Sequence, residues 1–165
     1  MVKGDWTLHR RPFFVTNSTN KNIYQAQVDG FLRLKANKQP GAIIEVKPHL
    51  RQVLPAAHRD IRMQEGAQMA AWICEPLPPV IGVPAPANTT TPSVHRRLMV
   101  SQDRHEVYLT VASFDDDYIS YIRGHKMTNS FLKMQEYGPF DVCNKDHMRY
   151  LGRILLAVSI QGGLV

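Results

Sequence analysis

The sequence predicts an α/β domain, a mixed central sheet flanked by helices, from three observations. Period-two alternation of apolar and polar residues recurs at 24–34, 42–48, 97–102 and 106–114, as half-buried strands require. Two stretches are helical instead, one from Asp60 to about Cys74 and one over 145–161. A length of 165 residues with 44% hydrophobic content suits a single domain, 1–165, with a sizeable core.

Taken in order, residues 1–20 are basic and read as irregular, broken by Arg10-Arg11-Pro12 and Asn17-Ser18-Thr19-Asn20. In the first strand Tyr24, Ala26, Val28, Leu32 and Leu34 share one face, and Gln25, Gln27, Asp29 and Arg33 share the other. In the second, Ile44 and Val46 point one way while Glu45 and Lys47 point the other. A hairpin across residues 35–40 would bring Asp29, Glu45 and Lys47 together on one sheet face. Pro48 and Pro55 then bound a short basic segment with His49, Arg51, His58 and Arg59. Asp60 can cap the following helix, which Glu75-Pro76 ends. On it Gln64, Gln68, Ala71 and Glu75 fall along one stripe.

Residues 76–95 form a proline-rich loop, since 76–92 hold six of the eleven prolines and a run of three threonines. The strands at 97–102 and 106–114 pair across a turn at Asp103-Arg104-His105. Asp115, Asp116 and Asp117 cap a short helix, placing negative charge at its positive end. A further strand lies around 130–136, closed by Gly138-Pro139. In the last helix Met148, Leu151, Leu155 and Val158 form the buried stripe, and Gly162-Gly163 ends it.

Two carboxylates and an ammonium on a half-buried surface are costly unless they bind something. A divalent metal on Asp29 and Glu45, beside a lysine that touches a bound water, would account for all three. Without such a ligand, Glu45 and Lys47 form a surface ion pair on a solvated sheet face, and Asp29 opens a turn at Gly30.

Asp29, then fifteen residues, then Glu45-Val46-Lys47 resembles the PD-(D/E)XK nuclease superfamily, in which an Asp on one strand is followed by (Asp/Glu)-x-Lys on the next. Val28 replaces the usual Pro. Gln68-Met69-Ala70-Ala71-Trp72 resembles the Gln-x-x-x-Tyr helix motif of several branches, with Trp72 in the Tyr position. The segments 62–73 and 137–141 are most similar to fungal members. The resemblance implies a restriction-endonuclease-like fold and a magnesium-dependent nuclease. Asp29, Glu45 and the Val46 carbonyl would hold Mg²⁺, with Mn²⁺ as substitute, and Lys47 and Gln68 would assist catalysis. It also implies a helix ahead of the first strand, which the sequence does not display and which a longer natural protein would supply.

Charge agrees with a polyanionic substrate. Residues 1–62 hold 11 Lys and Arg against 4 Asp and Glu, whereas 63–165 hold 9 against 10. The basic half contains the motif, so Arg33, Lys35, Arg51, Arg59 and Gln64 are candidate nucleic-acid contacts, with DNA favoured over RNA. A homodimer would suit an enzyme cutting both strands. No apolar run approaches the ~20 residues of a membrane helix, and the first residues lack a signal-peptide core, so an intracellular protein, cytoplasmic or nuclear, is expected. Cys74 and Cys143 are far apart and read as buried thiols. None of the seven histidines forms a metal-binding pair, and phosphate-cradling glycine loops and nucleophile elbows are absent. The competing reading is a catalytically inactive nuclease-like domain that binds nucleic acid or protein.

Overall fold

The computed structural model describes residues 1–17, 19, 21–52, 55–75 and 94–163. Residues 76–93 of the proline-rich stretch lie outside the described residues. Among the described residues the elements are β1 (Gly4–Thr7), β2 (Arg11–Thr16), β3 (Asn22–Val28), β4 (Gly30–Leu34), β5 (Pro40–Lys47), α1 (Pro55–Cys74), β6 (Val94–Asp103), β7 (Glu106–Asp115), α2 (Asp116–Ile122), β8 (Lys133–Asp141) and α3 (Lys145–Gln161).

The fold is α/β. A mixed sheet runs β1-β4-β5-β6-β7-β8, and β2 and β3 form a separate hairpin. The contact between β5 and β6 is parallel and the other four are antiparallel. α1 lies between the two parallel strands in sequence, as a crossover requires. The sheet is covered on both faces. Met69, Trp72 and Ile73 of α1 pack with Ile43, Met99, Ala112 and Phe114, joined by Phe13, Val28 and Ile119. Leu151 and Val158 of α3 pack on the opposite face with Leu32, Ala42, Leu98 and Leu109.

Several sequence-based expectations are corrected. The first twenty residues are not irregular: β1 pairs along β4 as an edge strand, and Trp6 Nε1 donates to Ser159 Oγ of α3 at 2.8 Å. The long strand over 24–34 is two strands in two sheets. It breaks at Asp29, so Ala26 and Val28 line the α1-side core while Leu32 lines the α3-side core. Gly30 lets the end of β1 close on the start of β4, because a Cβ there would stand 2.5 Å from the Thr7 carbonyl oxygen. α1 begins five residues before Asp60, with Pro55 in the first turn, where its missing N–H costs nothing. β8 runs through Gly138-Pro139 to Asp141, since it is an edge strand and its ladder to β7 shifts register between Val107 and Leu109. Cys74 is half-buried and Cys143 exposed.

Other elements follow their local chemistry. Asp115 caps α2 by accepting from the Tyr118 N–H at 2.8 Å. Asn144 caps α3, and Gly162 closes it in the left-handed region with φ of 84°. No helix among the described residues is long and apolar enough to cross a membrane.

Candidate functional site

Alternation along β5 places Ile43, Glu45 and Lys47 on the α1 face of the sheet, and Ile43 belongs to that core. Toward the carboxyl end of β5 this face turns polar. Glu45 is 4% exposed, and three side-chain nitrogens donate to its carboxylate. Lys47 Nζ donates to Glu45 Oε1, and Gln64 Nε2 donates to the same oxygen at 2.9 Å. Gln68 Nε2 bridges Glu45 Oε2 at 2.6 Å and the Gln27 carbonyl at 2.8 Å. The spacing of four between Gln64 and Gln68 sets both on the α1 face that covers β5.

Asp29 reaches the same strand by a different route. Its N–H donates to the Ile44 carbonyl, and its Oδ2 accepts the Val46 N–H at 3.1 Å. The carboxylate therefore continues the ladder past the end of β4 and grips the residue between Glu45 and Lys47. Its other oxygen faces Arg10 Nε at 3.3 Å. Together with Gln64 and Gln68, Asp29 lines a cleft of about 400 Å³ bounded by β3 and α1. Glu45 lies behind the two glutamines and does not line it.

A second acidic group lies on the same sheet face. In register, Ser101 is beside Glu45 and Asp103 beside Lys47. Arg51 is fully buried there and holds Asp103 at 2.6 Å, Glu65 at 2.9 Å and Glu136. Its guanidinium also lies 3.8 Å from the Tyr108 ring centroid. Ser101 Oγ donates to Glu65. Burial raises the pKa of Glu65, opposed by the Ser101 hydroxyl and by Arg51.

The expected nucleic-acid contacts divide accordingly. Arg51 is corrected: with no exposed surface and three carboxylate partners, it cannot meet a phosphate. Gln64 serves Glu45. Arg33, Lys35 and Arg59 are exposed, with Lys35 near Asp5 at 3.4 Å and Arg59 near Asp60 at 3.5 Å. Lys35 follows the far end of β4, six residues and so roughly 20 Å of strand from Asp29. Trp72 is core, its ring tilted against Phe13 and under the Arg97 guanidinium. The sequence reading missed Glu65, Ser101, Asp103 and Glu136. Glu65 was findable, because it lies four residues from both Ile61 and Met69 on the apolar side of α1.

Among the described residues, no group of three or more His, Cys, Asp or Glu is arranged to hold a metal ion. An ion at this centre would rest on Asp29, Glu45, the Val46 carbonyl and water. That all-oxygen set has the chemistry Mg²⁺ takes, since Mg²⁺ keeps several waters and needs only one or two carboxylates. Gln68 Oε1 adds a buried oxygen that has no hydrogen-bond partner among the described residues.

No family model matches this chain, and no curated protein or solved structure matches it either.

Proposed function

We propose that this protein is a metal-dependent nuclease of PD-(D/E)XK type, hydrolysing phosphodiester bonds in nucleic acid, DNA rather than RNA, inside the cell. One observation carries the reading. Asp29 binds the backbone N–H of Val46, the residue between the paired Glu45 and Lys47, which ties the first carboxylate of the motif to the strand that carries the other two residues. Asp29, Glu45 and the Val46 carbonyl would hold Mg²⁺, which when bound lowers the pKa of a water and stabilises charge on the attacked phosphate. Lys47 supplies a positive charge for the developing negative one. Gln64 and Gln68 fix the Glu45 carboxylate, so its orientation costs nothing when substrate arrives. Arg10, Arg33, Lys35 and Arg59 supply exposed positive charge for the phosphate backbone.

A second reading, a binding module without cleavage, has its own support. Both Glu45 oxygens already have donors, as in a self-sufficient polar core. Incubation with single- and double-stranded DNA and RNA, with Mg²⁺ or Mn²⁺ and with chelator, separates the two. The nuclease reading expects cleavage that chelator abolishes and that Asp29→Ala lowers about 10²–10³-fold, the usual effect of removing one electrostatic group. Binding without cleavage under every condition transfers the assignment to the second reading. Affinity should also fall steeply between low and moderate salt if phosphate contacts dominate; an unchanged affinity argues against them.

A further inference from the structure

The cleft beside Asp29 is larger than a metal centre needs. About 400 Å³ lies within the range of small-ligand sites, and Arg10, Tyr24, Gln25, Asp29, Gln64 and Gln68 are among its lining residues. Its chemistry is specific: carboxamides that donate and accept, one aromatic ring, and one guanidinium beside one carboxylate. Gln68 is 1% exposed, and both its hydrogen bonds use Nε2, so among the described residues Oε1 is a buried acceptor without a donor. An acceptor in that state costs free energy until a ligand N–H or O–H or a water meets it.

Tyr24 is placed for stacking. Its hydroxyl donates to the Ala67 carbonyl at 3.1 Å, which ties β3 to α1 and fixes the ring at the cleft while leaving the residue 37% exposed. A nucleobase offers a flat face for the ring, and an edge of donors and acceptors for the carboxamides that line the cleft. Its phosphate would meet Arg10, which is 71% exposed beside Asp29. A base inside a duplex cannot enter, because its hydrogen-bonding edge is paired and both faces are stacked.

We infer that this cleft is a subsite for one unpaired nucleotide adjoining the scissile phosphate, so that the substrate is single-stranded nucleic acid. The inference rests on the nuclease reading, since Asp29 is what joins the cleft to the proposed centre.

The test is fluorescence anisotropy in chelator, where nothing is cut, with a labelled oligothymidylate and a duplex of equal length as probes. The single strand should bind at least about tenfold more tightly than the duplex. Tyr24→Ala should weaken single-strand binding roughly 5- to 100-fold, as loss of one base–aromatic stack does, and leave duplex binding unchanged. Tyr24→Phe should retain the single-strand preference. If Tyr24→Ala loosens the hairpin, as a shifted melting curve would reveal, Gln25→Glu decides. That residue is exposed in β3, and a new negative charge there should weaken single-strand binding alone. Equal binding of the two probes, or single-strand affinity within twofold of the unmodified protein in the readable variant, overturns the subsite. The nuclease reading fails separately, through cleavage indifferent to chelator or to Asp29→Ala.

Discussion

Glu45 on β5 and Glu65 on α1 lie on either side of Ser101, which is beside Glu45 in register and donates to Glu65, and their surroundings are built on opposite plans. Glu65 shares Arg51 with Asp103 and Glu136 in a group whose guanidinium has no exposure, and Ser101 supplies a further donor. Glu45 has a lysine from its own strand and two carboxamides from α1. The first group spends a rigid five-donor fork on its carboxylates, the arrangement suited to permanent burial. The second uses a single ammonium and neutral amides, adjoins a partly exposed Asp29, and leaves Gln68 Oε1 without a partner among the described residues. A cation or a polar ligand can join the second group without breaking a guanidinium pair. Access to the cleft, more than acidity, distinguishes the part of this face that is structure from the part that is available for chemistry, because among the described residues an orphaned oxygen also occurs beside the sealed group, at Thr110 Oγ1 next to Glu136 in register.

Arg51→Met tests that distinction with the largest expected effect. Glu65 and Asp103 would remain buried without their counter-charge, which typically costs about 3–5 kcal/mol when one partner of a buried pair is removed. Urea denaturation should register a loss of that size or a failure to fold. A loss below about 1 kcal/mol would mean that the buried carboxylates are neutral and that the comparison is wrongly drawn.

Asp29→Ala should behave in the opposite way. Its side chain is 29% exposed, so stability should change by no more than about 1 kcal/mol, the scale of one hydrogen bond. Activity should fall about 10²–10³-fold. If the variant unfolds instead, Asp29 is a strand-terminating device and belongs with the structural group.

How far the sequence foretold this face depends on what alternation can report. Glu45 and Lys47 share a face as their spacing requires, and the order of elements from β4 to α3 was legible. Alternation keeps phase through a bend, however, so 24–34 read as one strand although β3 leaves the main sheet at Asp29. The expectation of an exposed Glu45–Lys47 ion pair had the right partners but missed the burial, because α1 roofs the pair and that packing is tertiary. Arg51 read as a surface cation for the same reason. Its three carboxylates come from α1, β6 and β8, and no local pattern links 51 with 65, 103 and 136. Residues 1–20 looked irregular because β1 and β2 are short and interrupted by breakers.

Gln68→Leu probes the boundary between the two groups at lower cost. The change keeps the volume but removes the donor shared by Glu45 Oε2 and the Gln27 carbonyl. Leaving buried acceptors short of a donor costs about 1–3 kcal/mol, which thermal or urea unfolding can measure. Deleting the unpartnered Oε1 works in the other direction, so the result should lie toward the low end. A loss as large as that of Arg51→Met would place Gln68 in the sealed structural group.

The smallest effect is a tilt in pH dependence, and it comes from Glu65. Burial, the largest influence, raises its folded-state pKa above the unfolded value, so the folded protein holds this proton more tightly than the unfolded chain does. A raised folded pKa gives stability that is fully present below the unfolded value and is lost as pH rises through the folded one. Glu65→Gln is neutral at every pH, preserves the shape and can still accept from Ser101 or Arg51. The stability of the unmodified protein relative to this variant should therefore decline as pH rises from the ordinary carboxylate range through the folded pKa of Glu65. Paired urea titrations at several pH values would follow that difference. A difference that grows with rising pH would mean that Arg51 and Ser101 outweigh burial and hold Glu65 ionised. The sealed group would then be a fully charged network, and its contrast with the Glu45 centre would rest on access to the cleft alone.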